Sequence, residues 1–255
     1  MGVLDGTVAV VAGGTGSVGE GIVYALLSEG ADVVVPCRSE QKRERLEDYV
    51  KAVAADRLHL YPALVGDPQS VEEFRRAVEE NFTRVDLAVA SLGGWYYGHS
   101  LHRMSFEDWN RVMHDHLTTH FLFLRAFVSL FHDRQNQSGT YVMVNGGESK
   151  LPAPDAGVVS IAAAAQKMMS KVLAEESSGT GIKSYSISIM NPLKTRNRQG
   201  NVLDEWVSAE QLGEYVAQLY AGNTPRDDQV SHVLHTVRDL SYSRTATRTR
   251  STAGS

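Results

Sequence analysis

The chain has 255 residues, 42% hydrophobic and 22% charged, enough for one large α/β domain with a substantial core. A net charge of -5, with lysines and arginines scattered rather than striped, excludes a basic field for nucleic acid or an anionic membrane, so small-molecule partners are expected. No apolar run reaches the roughly 20 residues of a membrane helix. No signal-peptide pattern precedes the first strand and Cys37 is the single cysteine, so neither membrane nor disulfide framework is expected and a cytoplasmic location is.

In chain order, β-branched runs at 7–12, 32–36, 58–61, 85–90, 140–145 and 185–190 predict buried strands. Helical periodicity fills the intervals, over 20–29, 39–54, about 105–132 and about 157–176. Strands alternating with helices of this length force parallel pairing through right-handed crossovers. The expected fold is therefore α/β: a single-domain, Rossmann-like doubly wound parallel sheet over 1–240, with helices on both faces. The small-residue run from Ile161 to Ala165 permits close helix packing, in the core or in a subunit interface. From 241 to 255 the periodicity ends in Ser, Thr, Arg and Gly, which predicts a disordered C-terminal tail.

Directly after the first strand stand Gly13, Gly14, Thr15, Gly16, Ser17, Val18 and Gly19, followed by an amphipathic run. In a strand-turn-helix context Gly13 serves the turn, Gly16 the close approach of backbone to a pyrophosphate, and Gly19 the packing of helix on sheet. The pyrophosphate of a dinucleotide would lie on the helix N-terminus; the alternative is a tight loop without a ligand. The second strand ends at Arg38 and Ser39 with no acidic residue for a ribose 2′-hydroxyl. A guanidinium suits a 2′-phosphate, so NADP(H) is preferred over NAD(H). The alternative for Arg38 is a solvated cation at a helix start.

These residues resemble the short-chain dehydrogenase/reductase superfamily over about 1–235. The segment from Trp109 to Thr118 resembles its fifth helix, and Ser208 to Val216 its late helix. The resemblance implies carbonyl reduction or alcohol oxidation: a nicotinamide cofactor carries hydride, a tyrosine passes the proton, a lysine lowers its pKa, a serine orients the carbonyl and an asparagine holds a water relay. Carried onto this chain, those four positions are Val159, Ala163, Gly146 and His116. No tyrosine lies between Tyr141 and Tyr185, and none of the ten tyrosines has a basic residue four positions later, so no shift of register restores the pair. The resemblance also puts Leu64 and Val65 at the adenine, Ala90, Ser91, Leu92 and Gly93 beside the cofactor, and Asn191, Pro192 and Thr195 at the nicotinamide loop. Leu64 and Val65 stand where the family has Asp-Val, which removes a side-chain hydrogen bond to adenine.

Other residues offer chemistry. His116 titrates near neutrality and sits where the family's relay begins; alternatively it only hydrogen-bonds in a helix kink. Glu148 and Ser149 follow the fifth strand, and Glu148 with His116 would make an acid/base pair for an isomerisation or dehydration. Trp95, Tyr96 and Tyr97 form an aromatic wall at the carboxyl end of the sheet or pack on their own helix, and Tyr97 is a further catalytic candidate. Lys167 follows Ala163 by one turn and reads as a surface charge. The spacing of His99, His102, His114, His116 and His120 makes no zinc pattern, so no metal is expected.

Three functional classes follow. One is a divergent NAD(P)(H)-dependent oxidoreductase acting on a small carbonyl or enone, with substrate or water in place of the tyrosine proton. A second is a non-catalytic cofactor-binding protein or partner subunit, and a third is a lyase or isomerase using His116 and Glu148. The missing tyrosine and lysine favour the second. A homodimer or homotetramer is expected, or a hetero-oligomer with an active homologue.

Overall fold

The apolar runs that alternate with amphipathic stretches become strands paired through helices. The computed structural model describes residues 2–133 and 137–240; the expected tail, 241–255, lies outside the described residues. The strands are β1 (Val8–Ala12), β2 (Asp32–Pro36), β3 (Leu58–Tyr61), β4 (Leu87–Ala90), β5 (Ser138–Gly146), β6 (Gly181–Ile189) and β7 (Ser231–Leu234). They make one parallel sheet in the order β3-β2-β1-β4-β5-β6-β7. The order reverses between β1 and β4, so a crevice opens there at the carboxyl ends of the strands.

The helices are α1 (Gly19–Ser28), α2 (Glu40–Val50), α3 (Pro68–Asn81), α4 (Phe106–Met113), α5 (Thr119–His132), α6 (Gly157–Glu176) and α7 (Ala209–Tyr220). One core layer joins α1 and α7 to one face of the sheet through Ile22, Leu26, Leu212 and Val216, and the other joins α3 and α5 through Phe74, Val78, Phe123 and Phe127. The α1–α7 crossing is close: a Cβ on Gly21 would stand 2.4 Å from that of Ala209, and one on Gly213 2.6 Å from that of Ala25.

The second helix is shorter than the 39–54 expected. Ser39 caps α2 by accepting from the Lys42 amide, and the helix ends at Val50. β5 and β6 run longer than their apolar cores suggest. Ser184, Ser186 and Ser188 interrupt the apolar pattern yet are buried; Asn145 bonds the hydroxyls of Ser186 (3.2 Å) and Ser188 (2.9 Å) across the strands, whereas the Ser184 hydroxyl has no partner among the described residues. β7 has no apolar run to announce it; it pairs with β6, and its buried His232 bonds the Tyr215 hydroxyl at 2.8 Å. The long segment 105–132 divides at a π-helical turn, His114–Thr118, between α4 and α5.

Candidate functional site

The glycine turn joins β1 to α1 above the switch point. Gly13 has φ +79 and a Cβ there would meet the Ser91 carbonyl at 2.0 Å, so the turn closes tightly on the end of β4 only with glycine. A Cβ on Gly19 would stand 2.0 Å from the Gly13 carbonyl, which lets α1 start against the turn. No side chain caps α1; the Glu20 N–H is taken by the Gly16 carbonyl at 2.8 Å, and Gly16 to Gly19 line the crevice at the helix start.

Glu20, in the first turn of α1, is almost wholly buried. Its carboxylate accepts from Arg196 (3.1 and 3.4 Å) and Asn197 (3.4 Å), and Arg45 of α2 lies 3.6 Å away. The Arg196 guanidinium stacks on Tyr49 at 4.4 Å, and Arg45 also donates to the Thr15 carbonyl at 2.7 Å. Burial pushes the Tyr49 phenol up, and the hydrogen bond it donates to Glu210 adds to this, so the phenol stays protonated. One buried carboxylate thus straps the segment after β6 to the start of α1.

Along the crevice lies a cavity of about 960 Å³, near the upper end of typical ligand sites. Gly16, Ser17, Val18 and Gly19 line one end. Ser91, Leu92, Gly93 and Trp95 line it from the β4 loop, and Met190, Asn191, Pro192, Leu193, Thr195, Asn197 and Arg198 from the segment after β6. His116, Gly146, Val159 and Ala163 all line it too, so the four positions assigned from the resemblance converge in space. No tyrosine or lysine among the described residues does.

His116 comes from the π-helical turn, and its ring lies against Gly93, whose φ is +102 and whose Cβ would stand 2.9 Å from Nδ1. Desolvation pushes the imidazole below its ordinary value, a trend Asp115 partly opposes, so the ring is neutral at pH 7. Gln166 of α6 donates its side-chain amide to the His116 carbonyl, holding the two helices together. His120 lies beneath, fully buried, donating Nε2–H to the Leu92 carbonyl at 3.2 Å; desolvation holds it down at about 4. At Gly146 a Cβ would stand 2.0 Å from Oε2 of Glu148, so the Glu148 carboxylate occupies the space of a side chain at 146.

The remaining expectations divide. Gly13, Thr15, Ala90, Arg38, Ser39, Leu64 and Val65 lie outside the cavity lining. Gly13, Thr15 and Ala90 support the turn and strand end from beneath, whereas Val65 packs into the α3 core and Leu64 is exposed. Arg38 is exposed beside the capping Ser39, with no hydrogen bond or ion pair to another described residue. Ser149 bonds Ser188 at 2.9 Å and lies outside the cavity lining, so of the two residues after the fifth strand only Glu148 reaches it. The aromatic wall reduces to Trp95: Tyr97 is exposed and outside the lining, and Tyr96 packs with Val112 and Val158 under Arg111. Lys167 is also outside, because the helical turn brings Gln166 to the cavity instead. Gln166, Asn197 and Arg198 line the cavity beyond the residues expected of it, and only the polar Gln166 on an otherwise small-residue face offers a sequence signal. A smaller cleft of about 520 Å³ between α3 and α5 lies away from the strand ends and is crossed by the Arg75–Glu72 pair. Among the described residues no three His, Cys, Asp or Glu side chains converge as metal ligands, and no helix is long and apolar enough to cross a membrane.

The family profile that matches this chain is described as short chain dehydrogenase and covers residues 7–204. The chain is 29% identical to the 3-oxoacyl-acyl-carrier-protein reductase FabG of Escherichia coli over 236 residues, 90% of this chain and 88% of the relative. It is 25% identical to the 2,3-dihydro-2,3-dihydroxybenzoate dehydrogenase of Bacillus subtilis over 187 residues, 72% of this chain and 69% of the relative. Its fold resembles that of a metagenomic short-chain oxidoreductase solved in complex with NADP, with TM-score 0.73 at 20% identity over 92% of this chain and 99% of the other.

Proposed function

The chain belongs to the short chain dehydrogenase family, and on that premise we propose that it is an NADP(H)-binding member lacking the family's catalytic tetrad, a non-catalytic cofactor-binding protein or partner subunit. The observation that carries this reading is the composition of the cavity: a glycine turn at one end, and His116, Gly146, Val159 and Ala163 at the other. A nicotinamide dinucleotide, when bound, supplies hydride. The close packing at Gly13 and Gly19 fits a pyrophosphate at the uncapped α1 terminus. Ser91, Leu92 and Gly93 would flank it, and Asn191, Pro192 and Thr195 would hold the nicotinamide end. Arg38, exposed and without a protein partner, would meet a 2′-phosphate beside Ser39. At the tyrosine and lysine positions the cavity wall carries Val159 and Ala163, which have no proton to give; loss of a positioned proton donor typically costs about 10²–10⁴-fold in rate.

A second reading is supported by the names of the relatives, a reductase and a dehydrogenase, and by His116 and Glu148 in the cavity wall. In it the chain is a divergent NAD(P)(H)-dependent oxidoreductase of a small carbonyl or enone, its proton coming from water, substrate or His116. Used without hydride transfer, the same two groups would serve a lyase or isomerase. Fluorescence titration with NADPH and NADH tests the shared premise. NADPH is expected to bind more tightly, and Arg38→Ala to remove most of the difference; absence of binding by either dinucleotide overturns the reading. Cofactor oxidation with an activated ketone or enone at ordinary enzymatic rates would decide for the oxidoreductase.

A further inference from the structure

Among the described residues the wall of the cavity holds one carboxylate, that of Glu148. It occupies the volume a side chain at 146 would fill, 2.0 Å from the Cβ position. It lines the cavity, yet it makes no hydrogen bond or ion pair with another described residue. Its neighbours in the wall do not supply a donor. The Asn145 amide donates to Ser186, and the Gln166 amide is committed to the His116 carbonyl. Val159, Ala163, Ile189 and Met190 are apolar, and His116 is uncharged at pH 7. The one guanidinium in the lining, Arg198, lies over the Trp206 ring at 5.1 Å and makes no ion pair with Glu148.

An acceptor-only group in a largely apolar wall disfavours a carbonyl oxygen placed against it, since two acceptors would face each other. It favours a donor, and a charged donor more than a neutral one, because charge-assisted hydrogen bonds are roughly twice as strong. Trp95, two-thirds exposed at the mouth, offers an apolar face that also attracts cations. We propose that the inner end of this cavity binds a protonated primary or secondary amine on an apolar body, with Glu148 as its counter-ion and Gly146 as the residue that makes room for that carboxylate. This deepens the reading above by naming the ligand class of the same cavity beside the dinucleotide.

The test is calorimetric titration of the full chain at neutral pH with three probes of one shape: benzylamine, benzyl alcohol and benzoate. Benzylamine is expected to bind at least about tenfold more tightly than benzyl alcohol, the scale of one charge-assisted hydrogen bond, and benzoate most weakly. Glu148→Gln removes the charge. Gly146→Ala keeps it but puts a methyl group where the carboxylate lies. Both variants are expected to erase the preference for the amine. Equal binding of amine and alcohol, no binding of the amine, or a preference that survives in Glu148→Gln overturns the proposal. NADPH titrated into the unmodified protein in parallel separates the two claims: its failure removes the dinucleotide reading and leaves the amine result standing, and the converse holds.

Discussion

Replacing Glu20 by alanine removes the hub between the glycine turn and the segment after β6. Its side chain is 2% exposed, but its partners Arg45 and Arg196 are 41% and 32% exposed. Breaking a fully buried ion pair costs about 3–5 kcal/mol and an exposed one about 0–1. Here the freed guanidinium groups regain water, so the loss lies between, about 1–2 kcal/mol. Removal of an anion from the first turn of α1 adds about 0.3–1 kcal/mol. A total of about 2 kcal/mol lowers the melting temperature of a domain this size by roughly 4–8 °C, measurable by calorimetry. NADPH dissociation followed by stopped-flow fluorescence is expected to accelerate, because Thr195 and Asn197 in the cavity wall lose their tether. A melting temperature within a degree of the parent, with dissociation unchanged, would refute the strap.

Restoring a phenol and an ammonium through Val159→Tyr with Ala163→Lys, plus Gly146→Ser, is expected to raise NADPH oxidation with activated diketones by about 10²–10⁴-fold; a parent already as fast as the variant would contradict the proposed loss of chemistry. Acid should weaken the fold through His120. Its folded value of about 4 is depressed from 6.5, so the unfolded chain takes up the proton first; this contribution is intact above about pH 6.5 and falls away by about 3 kcal/mol toward pH 4. Urea unfolding of a His120→Phe variant should show a shallower acid slope, and an unchanged slope counts against it. Gly21→Ala gains about 1 kcal/mol of helix propensity but forces a Cβ to within 2.4 Å of that of Ala209, an overpacking of about 1–3 kcal/mol, so a net loss of up to about 2 kcal/mol is expected. A stabilised variant would mean the α1–α7 crossing yields more readily than its spacing implies.

Sequence alone was enough to read the parallel α/β fold, because buried strands leave uninterrupted β-branched runs and the glycine turn has a backbone requirement tied to chain position. The resemblance to the family, rather than any local signal, assigned His116, Gly146, Val159 and Ala163 to one site, and all four line one cavity. What both left open was orientation. Ser149 and Glu148 are neighbours in sequence, yet one hydroxyl is taken up by Ser188 across the strands and the other side chain fills the space left at Gly146. Lys167 and Gln166 differ by one residue, and only the packing of α6 against the π-helical turn selects Gln166. The Glu20 node joins residues as much as 177 positions apart, which no local pattern records. Backbone preference acts over a few residues and is written in order along the chain, whereas the direction of a side chain and the partner of a buried charge are set by atoms that meet only after the sheet and its helices have closed around them.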